Sequence, residues 1–295
     1  MKKIALATVA AAALAASGGA YAYTSGTFSN GFVVPNVIHN GSTETTAVGI
    51  INRSGGTRGI YWTFFDQDSN HVTDGCFAMT EKEYTAFNWM NHSGGGLENQ
   101  RGYLVFAAAS PDTDIPICGG AVPQLDTDGG QISANAFFVN TASDDVAFTP
   151  VIDGDLTLGT VDLTRLDATS LTAVAGAAQM GSTTGNAELH MRYTIGGGDT
   201  TRIMVWSTGD HEGSHTVDIY DDDQNRKSVN FTLDNEELDW FNPATIVGIP
   251  DGFTDGYIIW NANDVATSGS IYAVSYVGLA DFGALQTLLA SHRAP

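Results

Sequence analysis

Short runs of β-branched and aromatic residues recur along the chain, separated by clusters of Gly, Asn, Asp and Ser. Residues 47–51, 60–65, 103–107 and 134–139 form such runs in the first part, and 202–206, 215–220, 256–260 and 271–277 in the second. These side chains fit a pleated, half-buried surface, and the punctuating residues are those of tight turns. In Val217-Asp218-Ile219-Tyr220 polar and apolar residues alternate, as in a strand with one wet face. Helical periodicity is sparse. It is best over 279–292, where Leu285, Leu288 and Leu289 share one face, and weaker over 166–178. The pattern predicts an all-β chain of β-sandwiches with a short C-terminal helix.

The strand pattern also repeats. Thr45-Thr46 followed by Ala47-Val48-Gly49-Ile50-Ile51 falls on Thr200-Thr201 followed by Arg202-Ile203-Met204-Val205-Trp206, an offset of about 155 residues. The same offset carries Phe64-Phe65-Asp66-Gln67-Asp68-Ser69-Asn70 onto Ile219-Tyr220-Asp221-Asp222-Asp223-Gln224-Asn225. After one deletion Phe77 matches Phe231, Glu83 matches Glu237, and Phe87-Asn88 matches Phe241-Asn242. Gly102-Tyr103-Leu104-Val105-Phe106 then falls on Gly256-Tyr257-Ile258-Ile259-Trp260. Two tandem modules are expected, at residues 23–180 and 181–295, meeting at the linker-like stretch 181–186. One large sandwich with pseudo-symmetric halves is the competing arrangement.

The N-terminus changes the picture of location. Lys2 and Lys3 precede an apolar stretch at 4–16, and Ala20-Tyr21-Ala22 places small residues at the two positions a signal peptidase reads. Residues 1–22 are read as a secretory signal peptide, with the chain secreted, at the cell surface or in the periplasm. No apolar run beyond residue 22 reaches the ~18 residues of a spanning helix. A porin-like barrel fits less well, because barrels need evenly spaced strands of about ten residues.

The chain of 295 residues carries 33 acidic and 12 basic side chains, a formal net charge of −21. Phosphate contacts need clustered Lys and Arg, so nucleic acid is not an expected partner. Self-association or surface polymers are. Export would place Cys76 and Cys118 in an oxidising compartment, where they are expected to pair.

Three patterns point to chemistry. Asp66, Asp68 and Asn70 recur as Asp221, Asp223 and Asn225, alternating oxygen ligands like the opening of a calcium loop. The Gly and bidentate Glu of such a loop are missing. A hairpin turn, in which Asp and Asn bond their own backbone, is the preferred reading, and calcium the alternative. The string His211-Glu212-Gly213-Ser214-His215 matches H-E-x-x-H, which needs a helix to bring both His to one metal. Gly209 and Gly213 bracket it and strand residues follow, so it reads as a chance match rather than a metal-dependent hydrolase. Tyr61, Trp62, Phe64 and Phe65, with Tyr257 and Trp260, read as core, the alternative being a sugar-binding platform. His39, His71, His92, His190 and His292 are expected in surface loops.

No catalytic set and no cofactor site emerges. The sequence is read as a non-enzymatic exported β-sandwich protein, a structural, adhesive or filament-forming subunit of the cell surface or extracellular space. The alternative is a soluble module that binds glycans or cations.

Overall fold

The short apolar runs are strands. The computed structural model describes residues 28–110, 118, 131–154, 188–262 and 271–292. These hold β1 (Gly31–Asn40), β2 (Glu44–Asn52), β3 (Arg58–Phe65), β4 (His71–Met79), β5 (Tyr84–Asn88), helix α1 (Trp89–His92), β6 (Arg101–Ala108), β7 (Ile132–Asn140), β8 (Asp145–Thr149) and β9 (Ile152–Gly154). They continue with β10 (Glu188–Thr194), β11 (Thr200–Ser207), β12 (Gly213–Asp221), β13 (Arg226–Leu233), β14 (Leu238–Phe241), a 3-10 turn (Pro243–Thr245), β15 (Asp255–Asn261), β16 (Ile271–Leu279), β17 (Ala284–Leu289) and β18 (Ser291–His292). The predicted signal peptide, the helical pattern at 166–178 and the linker at 181–186 lie outside the described residues.

All the pairings are antiparallel. The strands β1–β9 form one sheet that β1 folds into two leaves. Most of β1 pairs with β6 and β9, while His39 and Asn40 pair with Thr45 and Glu44 of β2. The inner leaf runs β4-β3-β6-β1-β9, and the outer leaf β5-β2-β7-β8. The strands β10–β18 form two further sheets, β13-β12-β15-β10-β18 and β14-β11-β16-β17. Adding nine to each strand number of the first set reproduces the order of the second.

Three apolar clusters separate these layers. Phe32, Val48, Trp62, Phe64, Phe87, Trp89 and Phe106 pack between the two leaves. Met191, Ile203, Val205, Ile219, Phe231 and Trp260 pack between the last two sheets. Between these lies a third cluster, in which Tyr61, Phe65, Tyr103 and Val105 of the inner leaf meet Met204, Trp206, Tyr272, Val274 and Tyr276. The inner strands are therefore covered on both faces, which is why β3 and β6 read as continuous buried runs after their first residue. The outer strands alternate, as β12 and β13 do.

The expected C-terminal helix is absent: residues 279–292 are the end of β16, a turn, β17 and β18. Leu285, Leu288 and Leu289 stand opposite Gly278, Ser275 and Val274 of β16. The turn at 280–283 closes through Phe282 N–H to Leu279 O and carries Gly283 at φ +55°. That left-handed residue breaks a helix before it can nucleate, and the free edge of β16 offers a full ladder of hydrogen bonds. The three leucines share no buried face; Leu288 and Leu289 remain exposed.

Two glycines have the same steric reason to be glycine. A Cβ on Gly102 would meet Phe65 O at 2.0 Å, and one on Gly256 would meet Tyr220 O at 1.9 Å. Asn88 and Asn242 also act alike. Each accepts from the backbone N–H two residues on, Met90 and Ala244, and caps the short helical turn that follows its strand.

Candidate functional site

The repeated Asp-x-Asp-x-Asn segments are hairpin turns. Asp66 N–H donates to Asn70 O, and its carboxylate accepts from the N–H groups of Asp68 and Asn70 and from the Asn70 amide. Asp221 repeats this with Asn225. Ser69 at φ 55° and Gln224 at φ 67° take the left-handed position. The carboxylates that lead each motif are thus saturated by their own loop. Asp223 is exposed. Among the described residues no group of three His, Cys, Asp or Glu side chains converges as a metal cage.

The first turn does more than close a hairpin. Gln67 O accepts from Glu237 N–H and Leu238 N–H, and its side-chain amide donates to Leu238 O. Asp68 accepts from Glu236 N–H. The β3–β4 turn is thereby clamped to the β13–β14 connection. The backbone N–H groups of that connection need partners once the apolar cluster beside it excludes water.

Glu237 lies within this clamp and is 7% exposed. Its Oε2 has no hydrogen-bond partner, while the Ser69 hydroxyl bonds the carboxyl. Burial, followed by the negative charges of Glu236, Asp210 and Asp68, pushes its pKa up to about 7 against the opposing Ser69 bond. Ser69 Oγ also lies 2.6 Å from Tyr103 Oη, and burial raises the Tyr103 pKa well above the phenolic value.

The H-E-x-x-H string does not lie on a helix. His211 is in the loop before β12, and His215 lies on β12 with its Nε2 2.7 Å from His211 O. The His211 ring has other partners: Nδ1 is 2.8 Å from Ser207 Oγ and Nε2 is 3.1 Å from Asp239 Oδ2. Asp239 also accepts from the N–H groups of Asp234 and Asn235 and from the Asn235 amide. A Ser-His-Asp trio is therefore present that the sequence reading did not single out. Its members are 28 and 4 residues apart, and spacing alone carries no signal of it. All three are buried, and Ser207 Oγ also bonds Gly209 O, so the trio braces the loop. Asn52 does the same work in the first half, donating to Met79 O, Thr80 O and Gly56 O.

A second polar node lies across the middle cluster. The Arg101 guanidinium stacks 4.1 Å from the Trp240 ring and donates to Asn36 Oδ1. Burial lowers its pKa to about 10, which still leaves it charged at neutral pH. Asn36 and Thr149 both bond Tyr276 Oη, at 3.4 and 3.1 Å.

The remaining predicted residues fall as follows. Cys76 of β4 and Cys118 form a disulfide with Cα atoms 5.4 Å apart. Tyr61, Trp62, Phe64, Phe65 and Trp260 are buried in the core, as expected, while Tyr257 is half-buried and stacks on Tyr220. The loop placement expected for the histidines does not hold. His71, His190 and His292 lie on strands and His92 on α1. His39, on β1, is buried with Nε2 2.9 Å from Ser93 Oγ and Nδ1 unpartnered. A strand side chain that faces the interior is buried whatever its polarity, and Ser93 supplies its bond.

The Asp66 and Asp221 turns, the Ser207-His211-Asp239 trio and the Arg101 node thus act in turns and seams. What faces outward differs between the two ends. The last sheet presents ion pairs, Arg192–Asp255 and Arg226–Asp218. The outer leaf presents Ile51, Tyr84, Phe137, Val146 and Phe148, five of the eleven exposed large hydrophobic side chains.

No protein-family model and no curated protein matches the chain. A solved structure of Bacteroides uniformis beta-glucuronidase 2, covalently bound to cyclophellitol-6-carboxylate aziridine, aligns with a TM-score of 0.15 and 10% identity. The alignment covers 84% of this chain and 24% of that one, and at this score it carries no argument.

Proposed function

We propose that this chain is an exported, non-enzymatic structural or adhesive subunit, built as a tandem duplication of one nine-strand unit. The observation that carries this reading is the contrast between its polar and apolar groups. The Asp, His and Ser side chains that suggest chemistry are spent on bracing loops, while an uncharged apolar sheet face is left open to solvent. The shared strand order, the paired Asn caps and the paired glycines support the duplication. The leader-like residues 1–22 and the strong negative charge support export of a chain kept soluble by self-repulsion. The glycan-binding alternative draws less support, because Trp62 and Trp260 are buried.

Cell fractionation with N-terminal sequencing tests the reading. Export predicts a chain beginning at Tyr23 in the envelope or the medium. An intact N-terminus in the cytosol overturns it.

A further inference from the structure

We propose that the outer face of the β5-β2-β7-β8 leaf is a self-association surface, on which a second copy of this chain packs through the same face to make a closed two-fold dimer.

The face is mostly apolar in register, with the exposed Asn135, opposite Gly49, as a polar member. Tyr84 stands opposite Ile51, Ala47 opposite Phe137, Phe137 opposite Phe148, and Val139 opposite Val146. Ile51, Tyr84, Phe137, Val146 and Phe148 are 36%, 65%, 38%, 56% and 38% exposed. No Asp, Glu, Lys, Arg or His stands at these positions. In a chain of net charge −21, this is where two copies can meet without opposing carboxylates.

The chain itself shows how such a face is covered. The strand-for-strand counterpart of this leaf is the β14-β11-β16-β17 sheet. There Trp206 stands where Ile51 does, Leu238 where Tyr84 does, Tyr276 where Phe137 does, and Leu285 where Val146 does. All four pack into the middle cluster, under the inner leaf. The outer leaf is the same kind of face, and among the described residues no sheet covers it.

The two ends of the stack decide the symmetry. A head-to-tail chain of copies would press this apolar face onto the β13-β12-β15-β10-β18 sheet, whose outward side chains include the Arg192–Asp255 and Arg226–Asp218 pairs. Burying those charges against apolar groups is costly. Packing face to face instead leaves the charged sheets outermost at both ends, and growth stops at two. Four strands ~4.8 Å apart and roughly 20 Å long give a plane of about 400 Å² per copy. The pair then falls at or below the low end of specific interfaces, which makes the dimer weak and concentration-dependent.

The inference rests on the reading of a chain that works by association, and the export experiment can fail independently of it. Sedimentation velocity of the whole chain, from low micromolar to several hundred micromolar, tests it. A reversible monomer–dimer equilibrium is expected. Val146→Glu and Tyr84→Glu, both at well exposed positions, should each weaken it by about tenfold or more. Arg192→Glu on the opposite sheet should leave it unchanged. Should one face variant fail to fold, the other still decides the matter. A monomer at every concentration overturns the proposal, as does a dimer indifferent to both face variants. So does an open-ended polymer that Arg192→Glu disrupts.

Discussion

At Glu237 burial and charge conflict. Its carboxyl is protonated more readily in the fold than in the open chain, with a pKa of about 7 against an ordinary 4.5. A raised pKa contributes stability that is complete below the ordinary value and is lost as pH rises through about 7. Glu237→Gln keeps the group neutral at every pH. It should therefore gain about 1–3 kcal/mol over wild type above pH ~7 and little below pH ~4.5. Urea unfolding of both proteins across that window measures the difference, and a difference independent of pH would rule out the titration of Glu237 as its source. His211 makes the opposite case. Its two ring nitrogens are bonded to Ser207 and Asp239, and removing the fully buried ring takes one bond from each partner and leaves a cavity in its place. His211→Ala should cost about 2–3 kcal/mol in the same unfolding measurement. A variant as stable as wild type would show that the loop needs no brace.

Among the elements, the paired strands β3–β6 and β12–β15 depend on close approach at Gly102 and Gly256. A methyl group on either would lie about 2 Å from a carbonyl oxygen of the neighbouring strand. Gly256→Ala should destabilise by about 2 kcal/mol or more, since backbone on both sides has to move. Gly248→Ala makes a useful contrast, because its nearest neighbour is a valine methyl at 3.7 Å and only its φ of +93° opposes the change. Thermal melts in which both variants lose equally would show that backbone conformation, and not contact across the ladder, sets the cost. The β16–β17 hairpin follows the same logic of local geometry. One left-handed glycine and one open strand edge outweigh a leucine spacing that suits a helix.

At the scale of the molecule, the middle cluster holds the two halves together. Trp206 is fully buried there, 5.7 Å from the Tyr103 ring across the seam. Trp206→Ala should cost about 3–5 kcal/mol. If the seam is cooperative, the variant still unfolds in one calorimetric transition; two separate transitions would mean that the halves fold independently. The disulfide acts on the first half alone, closing a separation of 42 residues, which stabilises by roughly 4 kcal/mol in the chain-entropy model. Reduction should lower the melting temperature by on the order of 10 °C. No shift on reduction would mean that the open chain loses little freedom to this link.

The strands were legible in the sequence because alternation, β-branching and turn residues act locally, over five to ten positions. All eight predicted runs are strands, and the like order of β1–β9 and β10–β18 parallels the repeat read from Asp, Asn, Gly and aromatic positions. The turn reading of Asp66 and Asp221 was equally local, since each carboxylate bonds residues within four positions. Contacts distant in sequence were not legible. The Ser207-His211-Asp239 brace, the clamp of Gln67 on Leu238, and the burial of His39 and Glu237 depend on which layers stack. Only the tertiary structure decided that Trp206 is covered while Ile51, its counterpart, is open. The two strands have much the same pattern, and what separates them is a sheet packed above Trp206 and, among the described residues, none above Ile51.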